Sequence, residues 1–302
     1  MAEDPLAPYR AQLTDPRHET LTEQLLAWSL RHCTCHRGVS WHASGAFWAA
    51  SFERHCAPAD TAAWESLLGA KYIVFFWCQD DGSRSELVAL ADQLRSRRPI
   101  RAGELGIFYE ALLSDMRAHG LETARVEAGI ADTCAAEVAE PHQDVRTMTP
   151  EQFHTQRLAT IATTPYIDCR RAARGLPAPH EEHRVEQAVE ATYIANDLAS
   201  LDKEIAAGAT EPVTSNLVRF HAARTGQDLS TAITHAANRY NHLVTALRNA
   251  PPGPLTTILA SIVDGSLQCQ IDLSTTRYPG STHRLSLLQL GLVRSTKSVA
   301  RW

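Results

Sequence analysis

The chain is expected to fold as an all-α bundle. Apolar residues recur at three- and four-residue spacing along most of its 302 residues, and alternating β-branched runs are almost absent. Alanine is abundant, while glycine and proline fall mostly between the periodic stretches. With 44% hydrophobic residues, the chain can bury the core of one large domain or two modest ones. No linker is polar enough to divide it. One domain of roughly ten helices over residues 1–302 is therefore expected, with 1–18 and 280–302 as flexible or lid segments.

Residues 19–33 read as a helix with Leu21, Leu25, Trp28 and Leu30 apolar. Residues 60–80 read as a longer one starting near Asp60 as a cap. Others follow at 84–96, 102–119, 121–140, 150–174, 180–207, 227–248 and 254–275. Gly120, Gly175 and Gly208 fit helix C-termini, where a left-handed residue is wanted. Pro99, Pro141, Pro177, Pro179, Pro212 and the run Pro251-Pro252-Gly253-Pro254 separate helices. Pro165 instead falls inside 150–174.

The net charge of −5 implies neither nucleic acid nor an anionic membrane as partner. No apolar run reaches membrane-spanning length. Met1-Ala2-Glu3-Asp4-Pro5 lacks the basic and apolar regions of a signal peptide. The seven cysteines (33, 35, 56, 78, 134, 169 and 269) never form a CxxC pair. They read as reduced and cytosolic, and zinc is not expected. His180-Glu181-Glu182-His183 has the wrong spacing for a zinc helix and reads as a solvated first turn.

Four places carry chemistry. In Asn196-Asp197-Leu198-Ala199-Ser200-Leu201-Asp202-Lys203-Glu204, Asn196, Ser200 and Glu204 are spaced four apart and stack on one helix face. A carbonyl oxygen, a hydroxyl and a carboxylate are hard ligands suited to Mg²⁺. Lys203 beside them can reach an anion held by that metal. The second place is Phe76-Trp77-Cys78-Gln79-Asp80-Asp81-Gly82, where two carboxylates end an apolar helix. Asp80 shares its face with Trp77, Phe76 and Ile73, which suits a metal-held anion above an apolar cavity; it also suits a solvated helix end before a Gly turn. The third is Arg157 through Pro165, where proline disturbs the preceding turn and the Thr160 and Thr163 hydroxyls can satisfy freed backbone groups. A Pro-kinked core helix with a surface Arg reads equally from it. The fourth is Thr276-Arg277-Tyr278 after the last apolar helix, offering a bidentate phosphate donor and a hydroxyl.

These features, in this order, resemble the class I terpene synthases of bacteria. Asn196, Ser200, Lys203 and Glu204 match that family's second metal motif, and Asp80-Asp81 resembles its Asp-rich first motif. The further acid usual after that pair is replaced by polar or basic residues, and the next acid is Glu86. Arg157 resembles the diphosphate-sensing Arg, with Thr160 and Ile161 where the linker and effector of a helix break lie. Arg277 and Tyr278 resemble the C-terminal Arg-Tyr pair. Cys269, Gln270 and Ile271 stand where a Trp is often found. Thr214-Ser215-Asn216-Leu217-Val218 resembles the segment after the second motif.

The resemblance implies a single-domain isoprenoid-synthase bundle around a central cavity. It implies three Mg²⁺ ions, held by Asp80, Asp81, Asn196, Ser200 and Glu204. Arg157, Lys203, Arg277 and Tyr278 would engage the diphosphate. Ile73, Phe76, Trp77, Phe153 and Tyr193 are candidate cavity-wall residues that serve equally as plain core.

The implied reaction is ionisation of an allylic prenyl diphosphate and cyclisation of the cation. The Phe-Trp-x-x-Asp-Asp run resembles compact diterpene synthases, so geranylgeranyl diphosphate or a bicyclic C20 diphosphate is the expected substrate. The alternatives are a sesquiterpene synthase using farnesyl diphosphate, and a non-catalytic isoprenoid-binding helical protein. A chain-elongating prenyltransferase needs Asp-rich motifs on both walls, which the Asn-Ser-Glu motif argues against. A cytoplasmic enzyme, forming a homodimer, is the expected setting.

Overall fold

The computed structural model describes residues 4–32, 38–80, 82–100, 103–142, 147–178, 181–207, 216–274, 277–278 and 280–288. Among them there is no strand. The helices are α1 (Pro16–His32), α2 (Val39–Cys56), α3 (Ala63–Asp80), α4 (Arg84–Arg95), α5 (Gly103–Ala118), α6 (Ala124–Ala139), α7 (Pro150–Thr160), α8 (Thr163–Ala173), α9 (Glu182–Ala207), α10 (Leu217–Thr225), α11 (Leu229–Arg248), α12 (Pro254–Leu273) and the single turn α13 (Thr282–Leu285). No helix among the described residues is long and apolar enough to cross a membrane. The chain forms two compact units, one of residues 1–138 with 165–177 and one of 139–164 with 178–302.

In the first unit α1 packs on α2, α3 and α5, α2 packs on α3, and α5 packs on α3 and α4. Leu25, Phe47, Tyr72, Phe75, Phe108 and Leu112 are almost wholly buried. The Phe75 ring meets those of Phe108 and Tyr109 at 6.2 and 6.1 Å between centroids. At 129 the absence of a Cβ lets α6 and α8 meet closely. A Cβ on Gly129 would lie 2.8 Å from the Pro165 ring, closer than carbon atoms tolerate.

A buried ion pair crosses this unit. Glu53 on α2 is fully buried and accepts from Tyr166 Oη at 2.6 Å and from Arg170 Nη1 at 2.7 Å, both on α8. Arg170 also donates to Thr61 Oγ1 and the Glu65 carbonyl. Burial pushes the Glu53 carboxyl up to about 7, against the pull of Arg170 and Tyr166. A Cβ on Gly69 would lie 2.5 Å from Glu53 Oε2, so α3 must present glycine there.

In the second unit α9 is the element on which α7, α10, α11, α12 and α13 pack. Ala188, Val189, Ala191, Ile194, Ala195, Leu198 and Leu201 are all buried. A helix covered on nearly all sides gives its polar residues little water. The partners found by Asn196, Asp197 and Ser200 therefore decide what this unit can do.

Three features depart from the helix pattern read from the sequence. The helix α2 was not anticipated: it is rich in Ala and Ser and lacks a polar stripe, with ten of its residues buried. The expected helix 150–174 is two helices. The break falls at Ile161-Ala162, and Ala162 takes φ +53°. Pro165 causes no kink: it occupies the first turn of α8, where its missing N–H has no helical partner to lose. Finally, α10 follows Asn216, whose Oδ1 caps Val218 N at 3.0 Å and Arg219 N at 3.4 Å.

The five described cysteines are buried; Cys33 and Cys35 lie outside the described residues. Glu182 begins α9 and Glu181 pairs with Arg184 at 2.6 Å; His180 lies outside the described residues.

Removing the guanidinium while leaving Glu53 in place exposes the cost of a lone buried carboxylate. Arg170→Leu is expected to lower unfolding free energy by about 3–5 kcal/mol, read from the urea midpoint.

Candidate active site

The site is built outward from α9. Asn196 is half-buried, Ser200 is 6% exposed and Glu204 is half-buried. The Ser200 hydroxyl donates to Glu204 Oε1, so two of the three donors at four-residue spacing converge. The set consists of oxygens alone, with one formal negative charge. It fits a hard divalent cation and lacks the nitrogen or sulfur donors of a zinc site. Lys203 is exposed beside this face.

Asp197, one residue further on, has a different task. It is fully buried. Its Oδ1 accepts from Arg157 Nη2 at 2.6 Å and Nε at 3.1 Å, and its Oδ2 accepts from the Leu217 backbone N–H at 2.8 Å. The Asp197 carbonyl accepts from Asn216 Nδ2 at 2.8 Å. Burial pushes its carboxyl up to about 6, with Arg157 opposing. Asn216 thus caps α10 with one end of its amide and ties α10 to α9 with the other. Thr214 and Ser215 lie outside the described residues.

Arg157 reaches α9 from α7. A capping box fixes the start of α7: Thr149 Oγ1 accepts from Gln152 N, and Gln152 Oε1 accepts from Thr149 N. The guanidinium is 7% exposed. Besides Asp197 it donates to Thr160 Oγ1 at 3.2 Å and to Asn196 Oδ1 at 3.3 Å, and it lies 5.8 Å from the Tyr193 ring centroid. Burial opposes its charge, but the Asp197 carboxylate prevails and holds it above the ordinary guanidinium range. Tyr193 is oriented in turn: its hydroxyl meets His154 Nδ1 at 3.0 Å, and His154 Nε2 meets Glu186 Oε1 at 3.2 Å.

The sequence reading of Thr160 is therefore corrected. Its hydroxyl serves the guanidinium, while Thr163 Oγ1 sits 3.5 Å from the Ile161 carbonyl. Phe153 is likewise core: its ring stacks on Phe220 at 4.2 Å beside Met148.

Tyr278 joins the same turn of α9. Its phenol is buried, with the Asn196 side chain close enough to favour the phenolate. Burial raises its pKa, with Arg277 and Asn196 opposing. The Arg277 guanidinium lies 5.1 Å from the Tyr278 ring centroid. Arg157 donates to the Asn196 amide, and Tyr278 lies beside it. Thr276 lies outside the described residues.

The first motif is in the other unit. Asp80 is exposed and is the last residue of α3, where the carbonyl end of the helix disfavours an anion and favours a cation. Asp81 lies outside the described residues. Ile73 is buried, and Phe76 and Trp77 are half-buried, with Trp77 edge-on to Trp48 at 5.3 Å.

Glu86 is a capping residue. Ser83 Oγ donates to its Oε2 at 2.9 Å, and the Glu104 and Leu105 backbone N–H groups donate to its Oε1 at 3.0 and 3.4 Å. Its carboxylate closes the N-terminal ends of α4 and α5 together. Sequence spacing missed Asp197, Asn216, His154 and Glu86 in these roles because every one acts through a tertiary contact. The Asn-Asp dipeptide at 196–197 was the one local sign for Asp197.

The family model described as terpene synthase family 2, C-terminal metal binding, matches residues 88–246, just over half of the chain. The match includes Arg157 and the Asn196–Glu204 stretch. None of the curated proteins matches the sequence. Among solved structures, the fold is similar to 2-methylisoborneol synthase from Streptomyces coelicolor in complex with Mg²⁺ and geranyl-S-thiolodiphosphate. That match has a TM-score of 0.68 and 17% identity, over 87% of this chain and 93% of that one. It is also similar to linalool/nerolidol synthase from Streptomyces clavuligerus in complex with 2-fluorogeranyl diphosphate, with a TM-score of 0.63, 16% identity, and coverage of 92% and 99%. A variant of cucumene synthase matches at TM-score 0.63 and 19% identity, over 85% and 96%.

If Glu86 caps helices and binds no metal, Glu86→Ala should lower unfolding free energy by about 1 kcal/mol. A calorimetric Mg²⁺ titration of the same variant should match the unaltered protein.

Proposed function

The chain belongs to the terpene synthase family, and from that membership we propose that it is a Mg²⁺-dependent class I cyclase acting on a C20 prenyl diphosphate. The observation that carries this reading is the meeting of Arg157, Asn196 and Tyr278 at one turn of α9, beside the convergent Ser200 and Glu204. A diphosphate-binding cation, an oxygen-donor set and a phenol share one place. The bound prenyl-diphosphate analogues of the two fold relatives support the substrate class.

Asn196, Ser200 and Glu204 would hold Mg²⁺, and Asp80 and Asp81 are assigned the same role from the first motif. Bound magnesium supplies positive charge that neutralises the diphosphate leaving group. Arg157, Lys203 and Arg277 donate to diphosphate oxygens, and Tyr278 adds a neutral donor. Negative charge on those oxygens grows as the allylic C–O bond ionises, so these donors bind the transition state more tightly than the ground state. Arg157 does so from a fixed position, because Asp197 holds its Nε and Nη2 while Nη1 reaches only a neutral hydroxyl. The cation left behind must be kept from water until it cyclises. One face of the Tyr193 ring is covered by Arg157.

The C20 assignment rests on Phe76-Trp77 before Asp80-Asp81. Farnesyl diphosphate is the alternative. A mass-spectrometric product scan over C10, C15, C20 and bicyclic C20 diphosphates separates them, and a sole C15 product would overturn the C20 reading. Incubation with isopentenyl diphosphate tests chain elongation, which this reading excludes.

Asn196→Ala and Glu204→Ala are each expected to lower turnover by about 100-fold or more with helical circular dichroism unchanged. Chelation of divalent metal should abolish turnover, and added MgCl₂ should restore it. Pyrophosphate release that persists in chelator would sink the metal assignment.

A further inference from the structure

The C-terminal segment touches α9 at two places. Tyr278 meets the Asn196 side chain. Six residues later, Arg284 is 4% exposed and makes three charge-assisted contacts. Its Nε donates to the Leu198 carbonyl at 2.9 Å, its Nη1 to Asp202 Oδ1 at 3.0 Å and its Nη2 to Asp202 Oδ2 at 2.9 Å. Leu198 and Asp202 are one turn apart on α9. They lie on the side away from Asn196, Ser200 and Glu204, since a two-residue offset turns the helix by about 200°. The segment therefore straddles α9, with the phenol on one flank and the guanidinium on the other.

The backbone between is shaped for this crossing. Gly280 takes φ +90°, and a Cβ there would stand 3.2 Å from Asp202 Oδ2. Leu285 and Leu288 are fully buried. The planar fork of Arg284 binds the carboxylate at two points and the helix carbonyl at a third, which lysine cannot reproduce.

We propose that the Arg284–Asp202 pair is a latch that positions Arg277 and Tyr278 against the metal motif. Arg284 and Asp202 are positioning residues; neither is assigned contact with substrate. The inference rests on the proposed function, in which Arg277 and Tyr278 bind the diphosphate. Asp202 lies between Ser200 and Lys203, so the same turn of α9 carries the motif on one side and the latch on the other.

The test uses the full-length protein and inorganic pyrophosphate with MgCl₂, followed by calorimetry, alongside amide hydrogen exchange of peptides covering 277–288. Arg284→Gln and Asp202→Asn should each weaken pyrophosphate binding by about tenfold and speed exchange in those peptides. The double variant should be no weaker than Arg284→Gln alone, because that change already removes the Asp202 pair. Asp202 is half-exposed at its side chain, so Asp202→Asn keeps the test in hand if Arg284→Gln does not fold. Arg248→Gln, which breaks the Arg248–Asp264 pair between α11 and α12, is the control and should leave pyrophosphate binding unchanged. A lower melting temperature with pyrophosphate affinity intact in both latch variants would reduce the pair to a structural contact and overturn the latch. Absence of pyrophosphate binding by the unaltered protein would instead overturn the proposed function itself.

Discussion

The buried pair of Arg157 and Asp197 is the constraint on which the second unit depends. Both groups are taken out of water, and neither can be left alone there: losing one partner of such a pair costs about 3–5 kcal/mol. The carboxylate needs more than the guanidinium, and it takes the Leu217 N–H as well. Because Arg157 is on α7, Asp197 on α9 and Leu217 at the start of α10, satisfying one carboxylate fixes the register of three helices. The guanidinium then holds the Asn196 amide from one side, and the functional face of α9 inherits its order from this pair.

The first unit solves a parallel problem. Glu53 on α2 is held by Tyr166 and Arg170 on α8, so its buried carboxylate also gathers elements remote in sequence. Glu86 does the same at lower cost, since it accepts from backbone donors at the start of α5 that would otherwise lack partners. In each case a carboxylate that looks available from its place in the chain is occupied by structure.

This explains which parts were legible in the sequence. Helices with an apolar stripe or clear caps, such as α4, α5 and α11, fell close to their expected bounds because periodicity is a local property. The α2 helix did not, since a segment buried on most sides has no stripe to read. The Asn196, Ser200 and Glu204 line was legible because four-residue spacing alone puts three side chains on one face. The helix break was legible in place but not in cause. Proline suggested it, yet the chain turns at Ala162, a non-glycine residue in the left-handed region, a conformation that costs about 1–2 kcal/mol and that only the surrounding packing can impose. Arg284 was invisible because its worth depends on where the last segment folds back.

The missing Cβ at Gly129 has a wider consequence. The space it leaves is filled by the Pro165 ring, so positions far apart in the chain are not free to vary one at a time. A larger residue at 129 is compatible with the fold only after the pyrrolidine has been replaced by something smaller, a step that leaves a void between α6 and α8, whereas the reverse order begins with a clash. Mutational history across this junction is therefore directional: the two sites form a lock that opens from one side only.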